Sequence, residues 1–325
     1  MVQDFRNKII EELTVLQKKE YQERNVFKAR AYGKVVAQLK GSSEPIRTME
    51  DVTDIPGIGE KIRAKIEEII TTGSLEAARN IKKDEKHILQ NALLNIYGVG
   101  PVKAKELVTK YPSLHSIDDL RALIATDAPI LNEKQMIGLK YYEDLLERIP
   151  RKEMVEHQKF IHKTLYKVKR TMHSDIVGSF RRGSLDSGDI DVLIGFPAKM
   201  KEEEAQKHFA TFVQKLQDGE YITDILALGP KKCMAVCRLP NKKIRRLDLL
   251  LTNAAEYPYA LLYFTGSDKF NIQVRKNALE LGYTLNEHSL RPIRENVPDI
   301  PLLKTETDIL EFLKMEYVPP EKRNE

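Results

Sequence analysis

The run Gly188-Asp189-Ile190-Asp191-Val192-Leu193-Ile194 constrains this chain more than any other stretch. It reads as a strand, and in a strand residues two apart share a face. Ile190, Val192 and Ile194 must then turn toward a core while Asp189 and Asp191 project together. Just upstream, Gly178-Ser179-Phe180-Arg181-Arg182-Gly183 combines backbone donors, a hydroxyl and two guanidinium forks, all suited to phosphate oxygens. Paired carboxylates can share divalent ions, and Mg²⁺ takes hard oxygen ligands while keeping waters and substrate phosphates in its other positions. Asp248, within Arg245-Arg246-Leu247-Asp248-Leu249-Leu250-Leu251, lies in a second apolar β-like run and is the expected third carboxylate. An Asp-x-Asp alone is more often a solvated strand end. The phosphate-type turn ahead of it moves the reading to metal-dependent nucleotidyl transfer.

At 325 residues the chain has room for roughly two domains. A net charge of +5 allows an acidic partner but makes no uniform polycation, so any nucleic-acid footprint must be local. No apolar run approaches the roughly 18 residues needed to span a bilayer, and Met1-Val2-Gln3-Asp4-Phe5-Arg6 is too polar for a secretory signal. A soluble, intracellular protein is expected. The two cysteines, Cys233 and Cys237, sit about 13 Å apart along one β-like segment, beyond the disulfide reach of about 7 Å, and read as buried thiols.

Periodicity changes along the chain. Residues up to about 148 look helical, with Ile9, Ile10, Leu13 and Leu16 spaced for one face. After Ile149-Pro150-Arg151 a helix is predicted from Lys152 to Met172, then a β-rich run from Asp175 to Phe196. A charged helix from Lys201 to Leu216 leads to strands near Thr223–Leu228, Cys233–Leu239 and Arg245–Leu251, and a last α+β segment begins after Pro258. One internal repeat stands out: Ile55-Pro56-Gly57-Ile58-Gly59-Glu60-Lys61-Ile62 against Ile96-Tyr97-Gly98-Val99-Gly100-Pro101-Val102-Lys103. Each reads as helix, apolar-Gly-apolar-Gly turn, helix. The glycines let the backbone approach a phosphate, and the next helix aims its first amides at the same anion. A single such turn is usually only a tight connection; two copies, each followed by a lysine (Lys61, Lys103), point to a nucleic-acid backbone grip without base readout. A monovalent cation, Na⁺ or K⁺, is expected on the turn carbonyls: Thr53, Ile55 and Ile58 in the first, Leu94, Ile96 and Val99 in the second.

Taken in order, these motifs resemble those of the family X DNA polymerases, most of all the beta-type members, over nearly the full length. Tyr263-Phe264-Thr265-Gly266-Ser267-Asp268, Asn286-Glu287, Arg291-Pro292 and Arg148-Ile149-Pro150-Arg151 belong to the same likeness. The resemblance implies a multidomain α and α+β fold. Its parts would be a helical lyase-like domain (1–82), a helical DNA-binding subdomain (83–148), a nucleotidyltransferase palm (149–255) and a nucleotide-selecting α+β subdomain (256–325). It implies that Asp189 and Asp191 hold two Mg²⁺ ions, with Mn²⁺ a substitute, and that Asp248 binds the catalytic metal beside the primer 3′ hydroxyl. Ser179, Arg182, Gly188 and Arg148 would hold the triphosphate. Tyr263, Phe264 and Gly266 would crowd the sugar, Asp268 would stack beside the incoming base, and Asn271 and Arg275 would contact the nascent pair and template. Arg246 is placed near the primer end.

The likeness also carries a second chemistry. On the residues alone Lys61 and Lys65 are a solvated helix face, since Ile62, Ile66 and Ile69 face inward. Under the resemblance Lys65 is the Schiff-base lysine of a 5′-deoxyribose phosphate lyase, whose amine must be neutral to attack. Lys28, Tyr32 and Lys61 would bind the 5′ phosphate. Departures occur as well: Phe27 stands at a family histidine, Ala64 at a glutamate, Leu250 at an arginine, Ile272 at a lysine and His288 at a tyrosine. The implied substrates are gapped or nicked DNA and dNTPs, the implied form a monomer, in the nucleus if the source is eukaryotic. A template-independent end transferase would need a long loop before the third acid, yet only Asn241 to Ile244 follow Leu239-Pro240; a non-catalytic DNA-end scaffold would not need the three acids.

Overall fold

The computed structural model describes residues 4–23, 25–42, 44–126, 130–295 and 297–324. The chain divides into two compact units, 1–140 and 141–325. Among the described residues no helix is long and apolar enough to cross a membrane.

The first unit is helical. Its elements are α1 (Arg6–Gln22), α2 (Val26–Gly41), α3 (Glu60–Thr72), α4 (Glu76–Lys83), α5 (Glu85–Leu94), α6 (Pro101–Lys110), α7 (Ile117–Thr126) and α8 (Glu133–Lys140). The predicted stripe on α1 is buried at Ile9, Leu13 and Leu16, and Ile10 packs at its edge. It meets Val35, Val36 and Leu39 of α2 and Ile62, Ile66 and Ile69 of α3, the 3.6-residue spacing of a core-facing helix. α3 stops at Gly73, whose left-handed backbone lets its N–H return to the Ile69 carbonyl.

The second unit opens with α9 (Tyr142–Leu146), β1 (Ile149–Pro150), α10 (Arg151–Val168), β2 (His173–Ile176), α11 (Gly178–Arg181), β3 (Asp186–Ser187) and β4 (Ile190–Phe196). It continues with α12 (Glu202–Asp218), β5 (Ile222–Leu228), β6 (Lys232–Cys237), β7 (Arg245–Asn253), α13 (Tyr257–Thr265), α14 (Asp268–Glu280), β8 (Tyr283–Leu285), β9 (Leu290–Pro292) and α15 (Glu306–Phe312). The main sheet has the order β2-β4-β7-β6-β5, with β4 and β7 parallel and the other pairs antiparallel. Its two faces are covered differently. Ile190, Val192 and Ile194 of β4, Leu247, Leu249 and Leu251 of β7, and Cys233 and Cys237 of β6 join one core with Ile161 and Leu165 of α10 and Phe209 and Phe212 of α12. Leu193 turns the other way, to Val177 and Ala260, with Leu250 and Phe264 beside it. Both cysteines are free and buried, and burial pushes their thiols up, to about 11 and about 12.

Two boundaries differ from expectation. α10 ends at Val168, not Met172, because Lys169 turns extended and starts the reversal that lets β2 pair with β4. The Asp175–Phe196 run is not continuous strand: Gly178, at φ +59°, breaks it into the helical turn α11. Asp189 lies one residue ahead of β4.

Behind the sheet is a buried polar knot. Arg245 gives Glu153 two hydrogen bonds, 2.7 and 3.2 Å, and a third of 3.1 Å to the Glu147 carbonyl. His157, fully buried, bonds the Tyr221 hydroxyl at 2.7 Å. Burial lowers His157 to about 4, although the Glu153 carboxylate pulls the other way. The unfolded chain binds this proton from about pH 6.5 downward and the folded one does not until about 4, so folding stability is lost as pH falls through that window. The loss is expected to total about 3 kcal/mol. Asp191, raised by burial, titrates in the same window with the opposite sign, so the His157 contribution is read as a difference. Chemical denaturation of the parent and of His157→Gln between pH 7 and 4 should diverge, the variant losing less stability toward pH 4, and parallel curves would refute the assignment.

Candidate nucleotidyl-transfer site and nucleic-acid grips

An open cleft of about 1170 Å³ in the second unit gathers most of the predicted residues. From the phosphate-type turn and its flanks come Gly178, Ser179, Arg182, Gly188 and Arg148; from the acidic strand, Asp189 and Asp191; from β7, Arg246. The far wall is Tyr263, Phe264 and Gly266 at the end of α13, and Asp268, Asn271, Ile272 and Arg275 on α14. The α14 residues recur at helical spacing, so one face of that helix meets the cleft. Asn271 ties the two helices by donating to the Tyr263 carbonyl at 2.7 Å, and the Arg275 guanidinium lies 6.0 Å from the Tyr263 ring.

The turn is held by residues far away in sequence. Arg182 donates to the Thr265 carbonyl at 2.6 Å and to Asn324 Oδ1 at 2.8 Å. Arg181 makes a two-pronged contact, 3.0 and 2.6 Å, with buried Glu306, which also receives Arg323 at 2.7 Å. Ser179 Oγ donates to Ser187 Oγ at 3.0 Å. Gly178 cannot be replaced without disturbing the acids, since a Cβ there would stand 2.6 Å from Asp191 Oδ2. Glu306, Arg323, Ser187 and Asn324 carry no sequence signal of this role.

The acids themselves are arranged by strand register. Asp191 and Asp248 are paired across the parallel β4–β7 ladder, and both line a small adjoining pocket with Lys232, Leu250 and Phe264. Burial, with the Asp248 charge beside it, pushes Asp191 up to about 6, and burial also raises Asp248. Asp189 instead pairs with Arg246, whose Nη2 is 3.9 Å from Asp248 Oδ2. The predicted triad therefore does not converge as a ready ligand set, and among the described residues no group of three His, Cys, Asp or Glu side chains is disposed to hold a metal. The donors still suit a hard cation: Asp248 Oδ1 is buried with no hydrogen-bond partner, next to a second carboxylate. Asp189, Asp191 and Asp248 could supply oxygens once Arg246 releases Asp189.

Two adjacent, half-buried carboxylates burden the fold without divalent ions. Because folding lifts Asp191 from 3.8 to about 6, its charged form is disfavoured in the folded protein at pH 7. Asp191→Asn is expected to stabilise the protein without divalent ions by about 2 kcal/mol. Calorimetry should also find that Mg²⁺ raises the melting temperature of the parent but not of the variant; destabilisation by the amide would count against this.

The first unit carries the two hairpin turns, and their backbones match. Gly57 and Gly98 have φ of +95° and +81°, and Gly59 and Gly100 sit extended at φ −84° and −91° as helix N-caps. Ile58 N–H donates to the Ile55 carbonyl at 3.4 Å and Val99 N–H to the Ile96 carbonyl at 3.0 Å. Each of those oxygens keeps a second lone pair, as a cation bound jointly with Thr53 and Ile58, or with Leu94 and Val99, would require. Behind the second turn, Gln135 donates to the Gly98 carbonyl at 2.8 Å, and a Cβ on Gly138 would stand 2.7 Å from Tyr97 backbone atoms. Neither support is visible in the sequence pattern.

The four turn glycines fall into two kinds. Left-handed φ explains Gly57 and Gly98. At Gly59 and Gly100 φ is ordinary and an added Cβ would meet nothing within 4 Å, so the fold itself has no need of glycine there. Open space before a helix N-terminus is what a close-approaching phosphate requires. Gly98→Ala should cost about 1 kcal/mol or more of stability. Gly59→Ala and Gly100→Ala should change melting little yet weaken binding to a gapped duplex several-fold in a salt-controlled titration. Unchanged affinity in both would remove the turns from the interface.

The lyase-type residues are divided between α2 and α3. Lys65, half-buried, donates to the Lys61 carbonyl at 3.2 Å, and Lys28 lies 3.8 Å from Glu20. Tyr32 packs on the core, its hydroxyl raised by burial. No hydrogen bond or ion pair among the described residues joins Lys65 to Lys28 or Tyr32.

Known proteins resemble the chain over most of its length. Residues 148–254 match the DNA polymerase beta palm and 260–324 the DNA polymerase beta thumb. Residues 6–75 match a helix-hairpin-helix domain and 91–146 the fingers domain of DNA polymerase lambda. DNA polymerase lambda of Rattus norvegicus is 30% identical over 331 residues, covering 97% of this chain and 56% of that protein. DNA polymerase lambda of Arabidopsis thaliana is 26% identical over 314 residues, covering 90% and 57%. The chain thus spans a little over half the length of these relatives. With successive helix-hairpin-helix, fingers, palm and thumb matches running through the hairpin turns and the cleft, the chain belongs to the family X DNA polymerases.

Proposed function

We propose that this protein is a DNA-directed DNA polymerase that fills short gaps in base excision repair, with a 5′-deoxyribose phosphate lyase in its helical unit. The observation that carries the polymerase reading is the convergence of Ser179, Arg182, Gly188, Asp189 and Asp191 on one cleft faced by Tyr263 and α14. In this reading Ser179 donates its hydroxyl to a phosphate oxygen, while Arg182 and Arg148 offset the triphosphate charge. Asp191 and Asp248 hold divalent ions, Mg²⁺ or Mn²⁺, with Asp189, and Asp248 is the acceptor beside the primer 3′ hydroxyl. Bound there, such ions stabilise charge on the phosphoryl oxygens and favour the deprotonated hydroxyl. Tyr263, Phe264 and Gly266 exclude a ribose 2′ hydroxyl, Asp268 stacks beside the incoming base, and Asn271 and Arg275 face the nascent pair.

The two hairpins grip backbone phosphates with Na⁺ or K⁺ on their carbonyls, and Lys28, Tyr32 and Lys61 bind a 5′ phosphate for attack by Lys65. Residues 1–82, 83–148, 149–255 and 256–325 serve as lyase, DNA-binding, catalytic and nucleotide-selecting parts. The protein acts as a monomer on gapped or nicked DNA and dNTPs, in the nucleus of a eukaryotic source.

Two variants separate the chemistries. On a single-nucleotide gap with a 5′ phosphate, Asp248→Ala should lose insertion by at least about a thousandfold while borohydride trapping on 5′-deoxyribose phosphate persists. Lys65→Ala should do the converse, with residual trapping through Lys28 or Lys61. Loss of both activities in either variant would overturn the assignment of two independent sites, and trapping at the parent level by Lys65→Ala would remove Lys65 as nucleophile.

A further inference from the structure

We propose that Asp186 is a positioning residue for Arg148, holding its guanidinium at the rim of the cleft with one edge presented to phosphate. The inference deepens the nucleotide-site reading and rests on it.

The short β1–β3 ladder sets the geometry. Ile149 pairs with Ser187 and Pro150 with Asp186, so the same register brings Arg148 opposite Gly188 and makes Asp186 its diagonal neighbour. Arg148 Nε donates to Asp186 Oδ1 at 2.8 Å, Nη2 lies 2.8 Å from the same oxygen, and Nη2 also reaches the Asp186 carbonyl at 3.2 Å. These contacts occupy the Nε and Nη2 side of the fork. Nη1 points the other way and lies 3.0 Å from where a Cβ on Gly188 would stand.

Gly188 gives a second, independent sign of the same design. Its backbone is not left-handed, and Arg148 Nη1 is all that an added Cβ would meet within 4 Å. A side chain there would crowd the guanidinium and push it from this position. Arg148 and Gly188 line the cleft and Asp186 does not, so the carboxylate works from behind. A flexible, half-exposed arginine is thereby restrained before a phosphate arrives, which lowers the entropy lost on binding.

The test uses the full chain on a gapped duplex, with Mg²⁺–dNTP complementary to the templating base as probe. Nucleotide Kd and KM are measured beside kcat and melting temperature. Asp186→Ala should raise Kd and KM about threefold, the size of an exposed two-pronged ion pair, with kcat and melting temperature unchanged. Asp186→Asn should recover part of the loss, because its amide oxygen still accepts from Nε. In an Arg148→Ala background, Asp186→Ala should add nothing. Affinity equal to or tighter than the parent's, a loss that persists without Arg148, or a fall in kcat at constant KM would each overturn the inference. A parent that binds no Mg²⁺–dNTP would instead overturn the nucleotide-site reading and the inference with it; the parent titration distinguishes the two failures.

Discussion

Parallel pairing of β4 with β7 forces two carboxylates together, and much of the second unit follows from accommodating them. The register sets Asp191 beside Asp248, while Ile190, Val192, Leu247 and Leu249 face the α10 and α12 side. Neither strand can slip by one residue to separate the acids, since that would carry its whole apolar set out of the core. The acids consequently lie on the α13 side among Val177, Leu193, Leu250 and Phe264, where charge is poorly solvated. Asp191 stays partly protonated near neutral pH in the absence of a cation, and Asp248 keeps an unpartnered oxygen. Such a pair is a poor choice for stability and a good one for binding a divalent ion.

Opposite charge is supplied at a distance from these acids. Arg246 reaches Asp189, at the near end of β4, and leaves Asp191 and Asp248 as the deeper pair. On the turn, Arg181 is committed to Glu306 and Thr265 away from the cleft, whereas Arg182, although tied to the Thr265 carbonyl and Asn324, lines the cleft as Arg148 does. Two neighbouring arginines are thus placed differently, one at the cleft and one behind it. The buried Arg181–Glu306–Arg323 group costs desolvation, and what it secures is the position of α11 against α13 and α15. Removing Glu306 would leave two guanidinium groups unpaired, one of them fully buried.

Strand periodicity makes the acids legible in the sequence, because a two-residue repeat with apolar alternates admits few placements. The paired hairpins are legible because a repeated Gly-x-Gly needs a backbone reason twice. Other features lie outside such patterns. That Asp189 pairs with Arg246 while Gly178 abuts Asp191 is decided by contacts through space. Glu306 and Arg323 read as ordinary surface charges, since burial of an ion pair follows from tertiary packing and leaves no periodic trace. Gln135 and Gly138 support the second turn from α8, and only contact with Tyr97 and Gly98 explains them. The division into 1–140 and 141–325 is likewise invisible to composition, because α9 is helical like the segment ahead of it, yet its Asp144 carboxylate accepts from the Ile244 N–H just before β7.

In the proposed function, recognition by the two units differs in kind. The hairpins offer backbone amides and turn carbonyls, which read charge and spacing but no base. Nothing in them can choose a nucleotide. In the proposed function selection comes from side chains that touch a base or sugar, and the cleft wall on α13 and α14 would supply these. Along that wall Asn271 is already committed to the Tyr263 carbonyl and Arg275 lies over the Tyr263 ring, so Tyr263 cannot shift without disturbing both. Ile272, in contrast, is largely exposed and has only an apolar surface to present. A base at that position would be packed against and not hydrogen-bonded, which tolerates any base of similar shape. On the proposed reading, discrimination would thereby fall to the Tyr263–Asn271–Arg275 side of the wall.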